Sequence, residues 1–409
     1  MTQQSVFTPT DVAGVVTAVQ HARHHDLPVS VVAGGHGPWA MTEQPGVRIE
    51  LASLSGVSVD GTTVSIGGGA TWGEVAARLA DDGLAISSGD TTTVGVGGLT
   101  LGGGIGWMTR CWGLAIDQLI GAQVVTADGT VIETSQQAHP ELFWALRGGG
   151  GNFGVVTRFD FAAHRLPTVV RAQCTGATDA GAVLRAARDA MIDAPRALTA
   201  TYLDVPPMDP SAPPGAALVA VWAGDDEVAL RAALAGVEAV DGIAVEVTTC
   251  AYRDVLDEPP GFADPEQAPP AFIGGNGLFA SLDDDLIDEL VALRATHPTS
   301  VVLMRSLGGA YGAVPQHSTP FPARDATWFI MAGGFDVPGV VDDAERTSLV
   351  AHTARIQERR VAQYSNFTHE PSPEAVPEMF TPDAYARLRA LKAQWDPRNM
   401  FRSNHNIVV

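Results

Sequence analysis

The residues able to do chemistry in this chain sit where glycines bare the backbone. In the stretch Pro28 to Trp39, the β-branched run Val29-Ser30-Val31-Val32 ends in Ala33-Gly34-Gly35-His36-Gly37. His36 is the one reactive side chain on a loop that a bulky anionic or planar ligand can approach closely. Two more glycine tracts follow, Thr91 to Gly106 and Gly148 to Gly154. The tract from Ser87 to Gly106 contains no lysine or arginine, so a phosphate held there must rest on backbone N–H groups. Three glycine loops beside strands, within about 120 residues, suggest one ligand wrapped by three backbone segments. Tyr364-Ser365-Asn366-Phe367 and Phe401 to Asn406 add a phenol and several amides near the C-terminus. Tyr202 and Tyr311, on or beside predicted strands, are further candidate catalytic residues, with Arg305 and Arg324 as candidate substrate anchors.

The elements that must position these groups follow from pattern. Thr8 to Asp26 reads as a helix with Val12, Val15, Val16 and Val19 on one face and Thr8 or Thr10 as its cap, leading into the strand before His36. Val47 to Leu51 is a strand candidate; Val57 to Ile66 and Ala122 to Glu133 are hairpins turning at Asp60-Gly61 and Asp128-Gly129. Thr71-Trp72-Gly73-Glu74 is a capping box opening a helix to about residue 82. A short helix from His139 to Arg147 precedes the third glycine tract, and a strand from Val155 to Phe161 follows it. Beyond Pro167 the glycine clusters thin out. Strand candidates Leu218 to Trp222, Ala244 to Cys250, Ser300 to Leu307 and Thr327 to Gly333 alternate with helices Asp225 to Val240, Asp283 to Thr296 and Asp342 to Arg359, an α+β texture. Asp257 to Pro270, acidic and proline-rich, is expected to be a surface loop or lid. The patterned tail, Tyr364 to Asn406, is expected to return to the first domain.

Composition narrows the classes. With 409 residues, 45% of them hydrophobic, the chain can bury a large core and fill two domains. A net charge of −21 argues against nucleic acid or an anionic membrane as partner. The N-terminus has neither the basic region nor the apolar core of a signal peptide, and the expected location is cytoplasmic. Cys111, Cys174 and Cys250 form no CxxC pair and read as small buried hydrophobes. A dinucleotide fingerprint would open a helix within a βαβ unit, whereas Gly102 to Gly106 follow a β-branched run contiguously. His21, His24 and His25 have no acidic or thiol partner at ligand spacing and read as a solvated face, so no metal site is expected. No Gly-x-Ser-x-Gly elbow is present.

Taken together, Gly34-Gly35-His36, Val94 to Gly106, Glu141 to Thr157, Tyr364-Ser365-Asn366 and Phe401 to Ile407 resemble the berberine bridge enzyme-like family, flavoproteins of the vanillyl-alcohol oxidase type, in its bacterial branch. The resemblance spans nearly the whole chain. It implies an α+β fold: a PCMH-type FAD-binding domain of two α+β subdomains, with an inserted substrate domain of antiparallel sheet flanked by helices. The boundaries this suggests are 1–166 for the FAD-binding domain, 167–355 for the substrate domain and 356–409 for the return. It further implies FAD joined covalently from an imidazole nitrogen of His36 to the 8α carbon, which makes the flavin a stronger oxidant. Thr91 stands where several relatives have the cysteine of a second link, so a single bond is expected. Val94 matches the position lining the oxygen-side face of the ring, where valine goes with oxidases; O2 is therefore the expected acceptor.

The same resemblance places Ala33, Gly34, Gly35, Gly37, Thr92, Thr93, Gly97, Gly98, Gly102, Gly103 and Gly104 around the cofactor. Asn152, Phe153 and Val156 are expected on its adenosine or pyrophosphate side, with Asn366 and Asn404 closing over the ring. Tyr364 is the expected base, taking a substrate O–H or N–H proton as hydride leaves for the flavin; its ordinary pKa of about 10 must then be lowered. Ala323 stands where many bacterial relatives have a histidine. The expected protein is an FAD-dependent oxidase of a small organic molecule in specialised metabolism, a monomer or homodimer. A flavin dehydrogenase with another acceptor, or a non-redox cyclase or binding protein on the same scaffold, are the alternatives.

Overall fold

The computed structural model describes residues 4–37, 45–206, 216–256, 271–368 and 374–409. Pro38, Trp39 and the 257–270 segment expected to form a loop or lid lie outside them.

The strand that delivers His36, Val29–Val32, pairs in parallel with Gly46–Glu50, which pairs in parallel with Gln4–Phe7. The helix Val12–His25 buries Val15, Ala18, Val19 and Ala22. Its cap is Asp11, not either threonine: the carboxylate accepts the Gly14 N–H at 2.8 Å, occupying a donor that the first turn leaves unpaired.

A five-stranded antiparallel sheet runs in the order Val57–Asp60, Thr63–Gly67, Val155–Ala162, Leu119–Val125, Val131–Ser135. Its hairpins turn where predicted, with Gly61 at φ 61° and Gly129 at φ 83°. Thr71 and Glu74 form the reciprocal capping box of the helix Trp72–Ala80. Trp72, Phe143, Phe159 and Phe161 centre this core, and Leu388, Leu391 and Ile407 of the C-terminal segment pack into it. One element departs from expectation: Val96–Gly102, inside the glycine tract, is helical.

The second sheet has seven strands, all neighbours antiparallel, in the order Ala244–Cys250, Val169–Thr175, Ala217–Ala223, Leu198–Asp204, Ser300–Ser306, Trp328–Phe335, Phe272–Phe279. Helices Ala180–Ile192, Glu227–Glu238, Asp284–Thr296 and Asp343–Gln357 cover one face through a core that includes Ala200, Tyr202, Met304 and Ile330. The period-2 alternation of strands turns Thr201, Leu203, Leu303, Arg305 and Met331 to the opposite face, which meets the first sheet's domain. The fold is α+β. No helix among the described residues is long and apolar enough to cross a membrane.

Two buried arginines join the layers. Arg110 donates to the carbonyls of Leu198, Leu307 and Ala194, and burial lowers its pKa to about 10. Arg324 forms a bidentate pair with Asp117, both contacts 2.8 Å, with each side chain about 5% exposed or less.

Candidate active site

The glycine loops, the end of the Val29–Val32 strand and the C-terminal segment enclose one cavity of about 460 Å³, within the range of small-molecule sites. Ala33, Gly34, Gly35, His36, Gly37, Thr91, Val94, Gly97, Gly98, Gly102, Asn152, Val156, Tyr364, Asn366 and Asn404 all line it, so residues far apart in sequence meet there. Among the described residues no lysine or arginine does; Asp90, His36 and His405 are its titratable groups besides Tyr364.

Close approach explains the glycines individually. A Cβ on Gly34 would lie 2.2 Å from the Gly95 nitrogen, so the 34–37 and 91–95 loops abut only because both positions are bare. At Gly35 (φ 76°) and Gly98 the Cβ direction meets nothing within 4 Å and opens onto ligand space. Gly103 and Gly104 lie outside the lining: their Cβ positions would strike the Phe321 ring at 2.6 Å and Ala115 at 2.5 Å, so they are bare for packing against neighbours. Thr92, Thr93 and Phe153 are also outside it. The Thr92 carbonyl accepts from Gly73, Phe153 is core, and the Thr93 hydroxyl sits 2.8 Å from His36 Nε2. Partial desolvation of His36 lowers its pKa, favouring the neutral ring.

Tyr364 is buried in the wall of the same cavity. Its hydroxyl oxygen accepts N–H bonds from Gly104 (3.1 Å), Ile105 (3.4 Å) and Asn366 Nδ2 (2.8 Å). Burial nevertheless pushes its pKa up to about 12, the opposite of the depression expected, and the three donors only moderate that rise. Phe321, Phe329 and Phe367 pack on its ring, with Leu303, Met331 and Ile105 in the same cluster.

The other sequence candidates stand apart from the cavity. Tyr202 faces the helical side of the seven-stranded sheet, where its hydroxyl donates to Asp204; alternation puts it on the opposite face from Thr201 and Leu203. Tyr311 is one ring further out than Tyr364, packed on Phe321 and donating to the Ala323 carbonyl. Burial raises the pKa of both. Arg324 is taken up by Asp117, and Arg305 by Thr201, the Trp107 ring and Asp90.

Asp90 is the carboxylate among several cavity residues that sequence reasoning did not assign to the site, His405 and Phe367 being others. It is the one charged side chain of the 87–106 tract, which is the signal that could have found it. Asn152 lines the cavity, but its side-chain amide is spent on Gly149, His405 and Ile407, tying down the tail.

An anionic, planar dinucleotide fits these walls. Bare N–H groups replace cations, Gly35 and Gly98 leave room, and Asn404 Oδ1 is buried without a protein partner among the described residues. The arrangement is that of a flavin-binding oxidoreductase. Residues 3–135 match the family model described as FAD binding domain, and residues 363–408 that described as berberine and berberine like. Over 418 residues the chain is 30% identical to the (R)-6-hydroxynicotine oxidase of Paenarthrobacter nicotinovorans, covering 96% of this chain and 88% of that one. It is 29% identical to the FAD-linked oxidoreductase fogF of Aspergillus ruber, covering 99% and 86%. The structure superposes with a TM-score of 0.83, at 25% identity over 99% and 92% of the chains, on the glucooligosaccharide oxidase of Acremonium strictum, described as carrying a 6-S-cysteinyl, 8α-N1-histidyl FAD.

The chain belongs to the berberine bridge enzyme-like family of FAD-linked oxidoreductases. It is an enzyme, an FAD-dependent oxidase.

Proposed function

We propose that the enzyme oxidises a small organic alcohol or amine, or closes a ring or double bond in one, with FAD attached through His36 alone. The observation that carries this reading is that one cavity, lined by no lysine or arginine among the described residues, joins His36 on one wall to the Tyr364 phenol on another. When bound, FAD accepts two electrons from the substrate and passes them to O2, releasing H2O2.

The chain's own groups divide the remaining work. Backbone N–H groups of Gly34, Gly35, Gly37, Gly97 and Gly98 hold the pyrophosphate, whereas that of Gly102 is spent inside the helix it ends, and Asn404 Oδ1 accepts from the cofactor. Val94 keeps a small opening for O2. Thr91 offers no thiol for a second link. Tyr364 Oη is the group placed to take the substrate O–H or N–H proton: the three N–H donors on that oxygen favour its anionic form, and coupling to bound flavin must supply the rest of the lowering that burial opposes. Tyr311 and Phe321 buttress it. Phe367, which lines the cavity beside Tyr364, favours a largely apolar substrate over a sugar.

In the same reading residues 1–166 and 356–409 serve the cofactor and 167–355 the substrate. It also keeps the enzyme cytoplasmic, a monomer or homodimer, in the bacterial branch.

The test is the absorption spectrum of purified protein before and after acid precipitation, repeated for His36→Ala. Yellow colour that stays with the wild-type pellet and leaves the variant's supports the bond, and peroxide release then screens alcohols and amines. Flavin released by acid from wild type would overturn it.

A further inference from the structure

We propose that Thr93 is a positioning residue for the cofactor bond: by holding His36 Nε2, its hydroxyl commits Nδ1 as the nitrogen that joins the flavin. This rests on the reading that His36 carries FAD covalently and goes beyond it in naming the residue that selects the linked nitrogen.

A neutral imidazole presents two nitrogens, one with a proton and one with a lone pair, and the hydrogen bond made by one decides what the other does. In this chain the Thr93 Oγ1 to His36 Nε2 distance is 2.8 Å, and the ring is biased to its neutral form by desolvation. A hydroxyl suits both stages of the reaction. Before bond formation Oγ1 accepts Nε2–H, leaving the lone pair on Nδ1. Once Nδ1 is alkylated the ring sheds its Nε2 proton, and Oγ1 turns to donate to the bare nitrogen.

The contact is built in by backbone, not left to side-chain chance. A Cβ at Gly34 would lie 2.2 Å from the Gly95 nitrogen and 2.7 Å from the Thr93 carbonyl oxygen, and one at Gly95 would lie 2.3 Å from the Gly34 nitrogen. The two bare positions therefore set the His36 loop directly on the Thr93 loop. That second loop is pinned in turn by the Gly73 N–H on the Thr92 carbonyl (2.8 Å) and the Trp72 N–H on the Val94 carbonyl (2.9 Å). Threonine's branched Cβ restricts its rotamers further.

The step balances with the oxidase's own oxidant. A C–H of the flavin 8-methyl group and the imidazole N–H are lost, and a C–N bond forms. Two electrons and two protons pass through the isoalloxazine to O2, which leaves as H2O2.

The test compares wild type with Thr93→Val, which keeps the shape and loses the hydroxyl, and Thr93→Ser, which restores it. Each holoenzyme is scored for total flavin per chain, for the acid-stable fraction, and for the linked nitrogen by NMR of the purified flavin peptide. Wild type and Thr93→Ser are expected to give one isomer, joined at Nδ1. Thr93→Val is expected to keep its total flavin but lose at least fivefold in acid-stable fraction, or to give a mixture of Nδ1 and Nε2 isomers. Fully acid-stable Thr93→Val with Nδ1 alone would overturn the role of Thr93 while leaving the His36 bond standing. A wild-type bond at Nε2 would overturn it as well, and needs no variant to fold. Acid-released flavin in wild type would remove the His36 bond and the Thr93 role together.

Discussion

Asn366 Nδ2 lies 2.8 Å from the Tyr364 hydroxyl, the shortest of the three N–H contacts on that oxygen. A donor to a developing phenolate is worth about 1.5–3 kcal/mol. Removing it with Asn366→Leu is expected to move the acid limb of the kcat/KM profile upward by about one to two pH units. The sign follows from losing a group that stabilises the anion. A profile unmoved by the substitution would take proton transfer away from Tyr364.

Gly102 predicts the same defect from the other side. A Cβ there would stand 2.0 Å from Asn366 Oδ1 and push the amide off the phenol. Gly102→Ala should cost about 1–3 kcal/mol of stability from overpacking. It should also reproduce the pH shift of Asn366→Leu, and the double variant should shift no further than either alone, since both remove one contact.

Val94 lines the cavity, and its side chain is half-buried. Val94→Leu fills space that O2 needs. After anaerobic photoreduction, stopped-flow mixing with O2 should show reoxidation slowed about tenfold or more, a barrier increase of about 1.4 kcal/mol. Equal rates would assign Val94 to packing alone.

The bidentate pair of Arg324 and Asp117 is buried on both sides. Asp117→Leu strands a buried guanidinium and is expected to lower unfolding stability by about 3–5 kcal/mol in urea titrations. The reciprocal double change, Arg324→Met with Asp117→Leu, should recover most of that loss. An Asp117→Leu chain as stable as wild type would show that the clamp contributes little.

Burial pushes the pKa of Tyr364 and of Tyr252 up to about 12. Folding favours the protonated phenol, so this contribution is fully present below the ordinary tyrosine pKa of about 10. It is lost as pH rises through 12. Thermal midpoints should fall across that alkaline window, and Tyr252→Phe should flatten part of the fall.

Much of the cofactor side was legible because clustered glycines beside strands serve few purposes besides a sharp turn or a close backbone approach. Gly34, Gly35 and Gly98 line the cavity, and His36 sits where the strand runs out. The helix Val96–Gly102 was not legible. Each interior glycine disfavours a helix by about 1 kcal/mol, so local propensity argues against it. What favours it is contact: a Gly97 Cβ would be 3.1 Å from the Gly68 carbonyl oxygen, an approach a larger residue would block.

The substrate side was harder for a related reason. The seven-stranded sheet packs helices on one face and the first domain on the other, so hydrophobic alternation does not say which face is turned to the first domain. Tyr202 is thereby indistinguishable in sequence from a cavity tyrosine. Arg305 and Arg324 are equally hard to place, because their partners Asp90 and Asp117 lie some two hundred positions away: Arg305 to Asp90 spans 215 residues and Arg324 to Asp117 spans 207.

The two-faced sheet also separates heritable tasks. Tyr202, Met304 and Ile330 hold the helices, while Leu203, Leu303 and Met331 look the other way from the same strands. A substitution in the second set alters the face turned to the first domain without loosening the helical layer or touching the glycine loops. That face can therefore vary by single-residue steps while the folding core and the glycine loops are inherited intact.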